Sequence, residues 1–83
     1  MIYVSKPVEI EAIQFTGNAD EVIKFTNVND IEISFKDGRW SCIINTPLVR
    51  LVVLENDYII KSISNELSVM KPDTFERLYE PKK

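Results

Sequence analysis

Asp37-Gly38 stands between two runs of alternating apolar and polar residues, IEISF (31–35) and WSCII (40–44). Asp-Gly is a favoured pair for a two-residue type I′ turn, whose central residues both need positive φ. Such a turn sets Phe35 opposite Trp40, Ile33 opposite Cys42 and Ile31 opposite Ile44. All six side chains then share one face, as a half-buried hairpin requires. Turn chemistry and burial pattern agree here independently.

The remaining segments are read around this hairpin. VEIEAIQF (8–15) begins with Val8, Ile10 and Ala12 on one face, then shifts phase to Ile13 and Phe15. Either a β-bulge near Ala12 or burial of the strand's second half on both faces explains the shift. Pro7 falls at the strand entry, where a missing N–H does least harm. Asn18 with Glu21 is an N-cap signal for a short helix whose inner face is Ala19, Val22, Ile23 and Thr26. Asn27, Asn29 and Asp30 end it. TPLVRLVVLEN (46–56) is nearly continuously apolar, the pattern of a strand inside a sheet. Residues 58–63 and 66–70 make a second hairpin about Ser64-Asn65, with Ile60 opposite Val69 and Ile59 opposite Met70. Asp73 as N-cap with Glu76 opens a last short helix carrying Phe75, Leu78 and Tyr79, stopped by Pro81. The expected fold is a single α+β domain over residues 1–83. It has a small curled, mainly antiparallel sheet in the order β-α-β-β-β-β-β-α and a helix packed on one face.

Composition narrows the chemistry more than it names it. A chain of 83 residues buries only about 60–65% of its unfolded surface, so its core has little to spare. Cys42 is the only cysteine, which excludes an internal disulfide or a cysteine zinc cluster. With no histidine, the usual general base and metal ligand are missing, and no cofactor is expected. A net charge of −3 disfavours generic binding to duplex DNA. An acidic surface that competes with nucleic acid for a basic protein site remains open. No apolar run approaches the roughly 18–20 residues of a membrane span, and the first residues carry no signal-peptide pattern. The expectation is a protein of the cytoplasm.

The polar residues offer several candidate sites. Glu9 and Glu11 share a face two residues apart, as a carboxylate pair or as the wet side of an amphipathic strand. The second reading is the simpler. Asp57 and Lys61 also share a face, but strand spacing holds them about 13 Å apart, too far for an acid–base pair. Asp57 then belongs with Asn56 to a turn, and Lys61 lays its stem on the sheet with its ammonium in water. Cys42 alternates with Trp40 and Ile44 and has no base to activate it, which marks a buried, inert thiol. Lys71, before Pro72-Asp73, stands at a helix mouth of the kind that binds an anion, though Asp73 as the cap of that end argues against one. Tyr58 and Tyr79 are the candidate exposed aromatics for stacking or interface contact. The candidate binding residues are therefore Tyr58, Lys61, Lys71, Tyr79, Glu9 and Glu11, with no catalytic or metal set.

Two blocks at the ends resemble a family of short bacteriophage and prophage proteins. KPVEIEAIQFTG (6–17) matches a Lys-Pro start running into Glu-Ala-Ile-Gln-Phe-Thr-Gly. NDYIIKSISNELSVMKPDTFERLYEP (56–81) matches Asp-Tyr-Ile-Ile-Lys, a tight turn, Lys-Pro-Asp-x-Phe-Glu and Tyr-Glu-Pro. The blocks span somewhat under half the chain and depart from the pattern at Asn56, Ser62 and Asn65, where glycine is usual. The resemblance implies phage origin and a small accessory role in the cytoplasm of an infected or lysogenic bacterium. It carries no catalytic residues. The first functional expectation is a non-enzymatic protein that binds a host or defence macromolecule, with inhibition as one outcome. The others are a binder of a nucleotide signal, and a minor structural or regulatory phage protein. Self-association is compatible with each.

Overall fold

The hairpin about Asp37-Gly38 forms in the computed structural model of the chain, which describes the backbone of residues 2–5 and 8–81 and the side chains of residues 10–79. Strands β3 (Ile31–Lys36) and β4 (Arg39–Asn45) pair in the expected register, Phe35 to Trp40, Ile33 to Cys42 and Ile31 to Ile44. Asp37 and Gly38 take φ of 55° and 77°, the two positive values a type I′ turn needs. Strand β5 (Arg50–Leu54) pairs with β4 and completes a three-stranded antiparallel sheet.

A second, five-stranded antiparallel sheet has the order β7-β6-β2-β1-β8. Its strands are β1 (Ile2–Ser5), β2 (Val8–Gln14), β6 (Tyr58–Lys61), β7 (Leu67–Met70) and β8 (Glu80–Pro81). Helix α1 (Ala19–Thr26) joins β2 to β3, and α2 (Pro72–Leu78) joins β7 to β8. The fold is thus α+β with small antiparallel sheets, and its central elements follow the expected order. Pairing adds two strands that periodicity did not mark, β1 and β8. Pro81 lies on the sheet edge, where its missing N–H is tolerated. Pro7 and Lys6 lie outside the described residues.

The phase shift after Ala12 comes from burial on both faces. Strand β2 keeps an unbroken register against β6, from Glu11 opposite Lys61 to Gln14 opposite Tyr58. Ile10 and Ala12 join Tyr58, Ile60 and Phe75 in a core under α2. Phe15 joins Val22, Cys42, Ile44, Val53 and Ile59 in a core between the sheets, with Ile13 and Phe25 packed against it. Ile59 and Ile60 therefore serve opposite cores, as period-two alternation demands.

Three readings are corrected. The apolar stretch before Glu55 is an edge strand and not an interior one. Val52 and Leu54 are exposed on the outer face of its sheet, while Leu48 and Val49 fall in the preceding loop. Its apolar run comes from packing on one face only, with β7 beside it but not paired to it. The β6–β7 hairpin pairs Ile59 with Val69 and Tyr58 with Met70, one residue away from the expected register. Ser62 and Glu66 close a three-residue loop in which only Asn65 adopts positive φ, at 66°. One left-handed residue suits this loop; a two-residue type I′ turn needs two. The slip moves Val69 into the inter-sheet core and Met70 under α2. Finally, α2 is capped by Lys71 without a side-chain bond, because Pro72 takes the first helical position. Asp73 falls inside the first turn, and Glu76 bonds elsewhere. Helix α1 begins as read, with the Asn18 side chain accepting from the Glu21 N–H at 3.2 Å.

Gly17 ties the loop after β2 to Trp40. Its φ is 97°, and a Cβ there would meet the Trp40 ring at 2.8 Å. Gly38 also has positive φ, but nothing stands within 4 Å of its missing Cβ. Gly17→Ala is therefore expected to lower unfolding free energy by about 2 kcal/mol or more, strain and overlap together. Gly38→Ala should cost about 1 kcal/mol, from strain alone. Urea denaturation followed by Trp40 fluorescence measures both, and equal losses would contradict the contact.

Candidate functional site

Glu55, Asn56 and Asp57 fasten the two sheets together. The Asp57 N–H donates to the Leu54 carbonyl at 3.0 Å, and its Oδ2 accepts from the Leu54 N–H at 3.1 Å. In the other direction, the Asp57 carbonyl accepts from the Phe15 N–H at 2.8 Å, and the Asn56 N–H donates to the Phe15 carbonyl at 2.8 Å. Glu55 closes the third side, with Oε1 accepting from the Trp40 N–H at 3.1 Å. Asn56 makes the corner at φ 74°, a conformation Asn tolerates better than most residues. Asp57 is 2% exposed, and Lys71 Nζ stands 3.3 Å from its Oδ2. The cluster is a structural clasp. It carries the turn expected at Asn56-Asp57 and adds a pairing with Lys71 that strand spacing could not reveal.

The other candidate residues are dispersed. Lys61 is half-buried, and its ammonium has protein partners that strand spacing did not show: Nζ donates to the Phe25 carbonyl at 3.1 Å and lies 4.9 Å from the Phe25 ring centroid. It neutralises the carbonyl end of α1, where a cation is favoured. Tyr58 is buried rather than exposed, stacked on Phe75 at 3.9 Å between centroids, and its hydroxyl donates to Glu76 at 3.2 Å. Tyr79 stacks on the other side of Phe75 at 5.0 Å. Glu11 is exposed and stands opposite Lys61 in the sheet. The Glu9 side chain lies outside the described residues. Lys61 and Lys71 sit at opposite ends of the β6–β7 pair, so the six residues do not converge on one pocket. Burial pushes the Cys42 thiol above its ordinary pKa, in keeping with an inert side chain. Among the described residues no group of His, Cys, Asp and Glu is arranged to hold a metal ion. No described helix is long and apolar enough to cross a membrane.

The described residues also form concave surfaces. One of about 350 Å³ is lined by Lys36, Arg39, Glu55, Asp57 and Lys71, so its charges are mixed and partly spent on the clasp. Another, of about 680 Å³, runs between the loop before β5 and the β6–β7 loop, with Thr26 and Val28 also lining it. Each loop is held by its own hydroxyl. Thr46 Oγ1 donates to the Val49 carbonyl at 2.8 Å and accepts from the Val49 N–H at 3.0 Å. Ser62 Oγ accepts from the Glu66 N–H at 3.1 Å. Leu48 and Ile63, at the two loop tips, are 96% and 90% exposed. Sequence reading placed Leu48 and Ile63 in strands and so missed this groove. The signal present was Thr46-Pro47, a turn-opening pair.

No protein-family model matches the chain, and no curated protein or solved structure matches it either.

Removing the Asp57 carboxylate leaves the part-buried Leu54 N–H without its acceptor, so Asp57→Ala is expected to cost about 1–3 kcal/mol. Lys71→Met should cost no more than about 1 kcal/mol, since the Lys71 side chain is 61% exposed. Chemical denaturation of both variants measures the asymmetry. Cys42 is expected to resist a thiol-directed alkylating reagent at neutral pH in the native protein and to react at once in denaturant, read by mass spectrometry.

Proposed function

We propose that this chain is a non-enzymatic accessory protein of a bacteriophage or prophage that acts by holding a host or defence macromolecule. The observation that carries this reading is the groove between two stapled loops, lined by the exposed Leu48, with the exposed Ile63 beside its lining on the second loop. Loops fixed by local hydrogen bonds lose little further entropy on binding, so their apolar tips convert efficiently into affinity. Among the described residues, Glu66 is the one charged group that lines the groove, which suits a neutral apolar protein segment. The end blocks that resemble phage proteins support this origin and an action in the bacterial cytoplasm.

The nucleotide-signal alternative draws less support. Its phosphate partners, Lys61 and Lys71, are bound to the Phe25 carbonyl and to Asp57. Its stacking residues, Tyr58 and Tyr79, already lie on Phe75.

The test is affinity capture from host lysate with the wild-type protein, Leu48→Asp and Ile63→Asp in parallel. Both substitutions lie on exposed tips, so melting temperatures should stay close to wild type. The expected outcome is a stoichiometric partner held by the wild type and reduced at least tenfold by either variant. Equal retention by all three proteins, or no stoichiometric partner at all, would contradict the reading.

A further inference from the structure

We infer that the free edge of β7 takes an extended segment of a partner polypeptide as an added strand, laid along the groove between the two loops. This rests on the groove reading above and names the chemistry of the partner. The hydrogen bonds of the β6–β7 loop show which groups of β7 face out. The Ser62 N–H donates to the Glu66 carbonyl at 2.9 Å, so the bonding groups of Glu66 are turned towards β6. Bonded and unbonded positions alternate along an antiparallel pair. Ser68 and Met70, opposite Ile60 and Tyr58, are therefore bonded to β6 as well. The N–H and C=O groups of Leu67 and Val69 point the other way. β7 is the last strand of its sheet, and among the described residues no backbone bond reaches these groups.

The element beyond that edge is β5, which lies beside β7 without bonding to it. The two strands run in the same direction. At one end Leu54 and Lys71 line the cavity of the clasp, and at the other Val49 and Leu67 line the groove. The facing edge of β5 is also incomplete. The Glu55 N–H donates to Trp40 and the Thr46 N–H to Val49, a parity that turns Arg50, Val52 and Leu54 away from β4. Asp57 takes both groups of Leu54, while no described bond takes those of Val52. At Val49 and Leu67 the space between the strands opens into the groove of about 680 Å³, within the roughly 300–1,000 Å³ of ligand-holding clefts.

Unpaired groups two residues apart, about 6.8 Å along a strand, match the repeat of another extended main chain. Sheet edges left open to solvent are normally blunted by charge or proline. β8 carries Glu80 and Pro81, β3 carries Glu32 and Lys36, and β5 carries Arg50. β7, Leu67-Ser68-Val69-Met70, carries neither charge nor proline. A second copy does not suit this edge. It would have to offer its own β7, which is recessed beside β5 in the same way, and two recessed edges do not meet. A single strand enters where a sheet edge does not. Its side chains alternate between two faces, and those turned to the groove meet Leu48 and Val49. The occupant therefore carries apolar residues at every second position.

The probe is a displayed library of random peptides of roughly twelve residues, about two strand lengths. It is selected on the wild-type protein, and enriched peptides are synthesised and titrated. The expected outcome is a peptide of alternating apolar residues that Leu67→Pro binds at least tenfold more weakly and Leu67→Val less than about threefold more weakly. Proline removes the outward N–H and spares every β6–β7 bond, at the first residue of an edge strand, where it is tolerated. Valine keeps the N–H and an apolar side chain. A second readout needs no variant: on binding to wild-type protein, exchange of the Leu67 and Val69 amides should slow roughly tenfold or more. A peptide that is lost in Leu48→Asp but leaves both amides exchanging as in the free protein would overturn strand addition and leave the groove reading standing. Equal binding by Leu67→Pro and Leu67→Val would do the same. A selection that yields no peptide sensitive to Leu48→Asp would also overturn the inference, and the lysate capture then judges the groove reading separately.

Discussion

The bond pair between Asp57 and Leu54 is the interaction on which the rest of this structure depends. Leu54 is the last residue of β5, and its outward N–H and carbonyl would otherwise end the three-stranded sheet unpaired. Asp57 takes both, one with its carboxylate and one with its backbone N–H. The same residue and Asn56 bond to Phe15 at the end of β2. One tripeptide thus joins the edge of one sheet to the centre of the other and fixes the depth of the core between them. Cys42, Ile44 and Val53 from one side then meet Phe15 and Ile59 from the other, all close to fully buried. In so short a chain no second core could make up for losing that alignment.

The clasp and its neighbours also engage several of the polar residues that the sequence offers as candidates. Asp57, Glu55, Lys61 and Lys71 each hold a backbone group or one another. Among the described residues, the exposed large apolar side chains include Leu48 and Ile63 on two loops and Val52 and Leu54 on the outer face of β5.

Much of this was legible in the sequence where the signal is local. The Asp37-Gly38 turn and the alternation around it defined a register that the structure reproduces residue by residue. The Asn18 cap was equally local. With glycine at only two positions, the chain turns its other left-handed corners at Asn27, Asp37, Asn56 and Asn65. The errors arose where tertiary contacts decide. A continuous apolar run reads as an interior strand, yet Val52 and Leu54 face outward because no layer covers that side. A one-residue slip in the β6–β7 hairpin followed from loop length, which Ser64-Asn65 alone does not specify. Charge pairing between Lys71 and Asp57, or between Lys61 and the end of α1, requires elements distant in sequence to meet. The candidate site suffered most, because its residues sit in loops whose exposure depends on what fails to pack over them.

The central claim is that the clasp makes the two sheets one cooperative unit. Native-state amide hydrogen exchange of the wild-type protein, followed residue by residue under increasing mild denaturant, tests it most directly. The amides of β4 and those of β2 and β6 are expected to converge on a single opening free energy equal to that of global unfolding. Two separate plateaus, with the three-stranded sheet opening while the five-stranded sheet stays protected, would contradict the account.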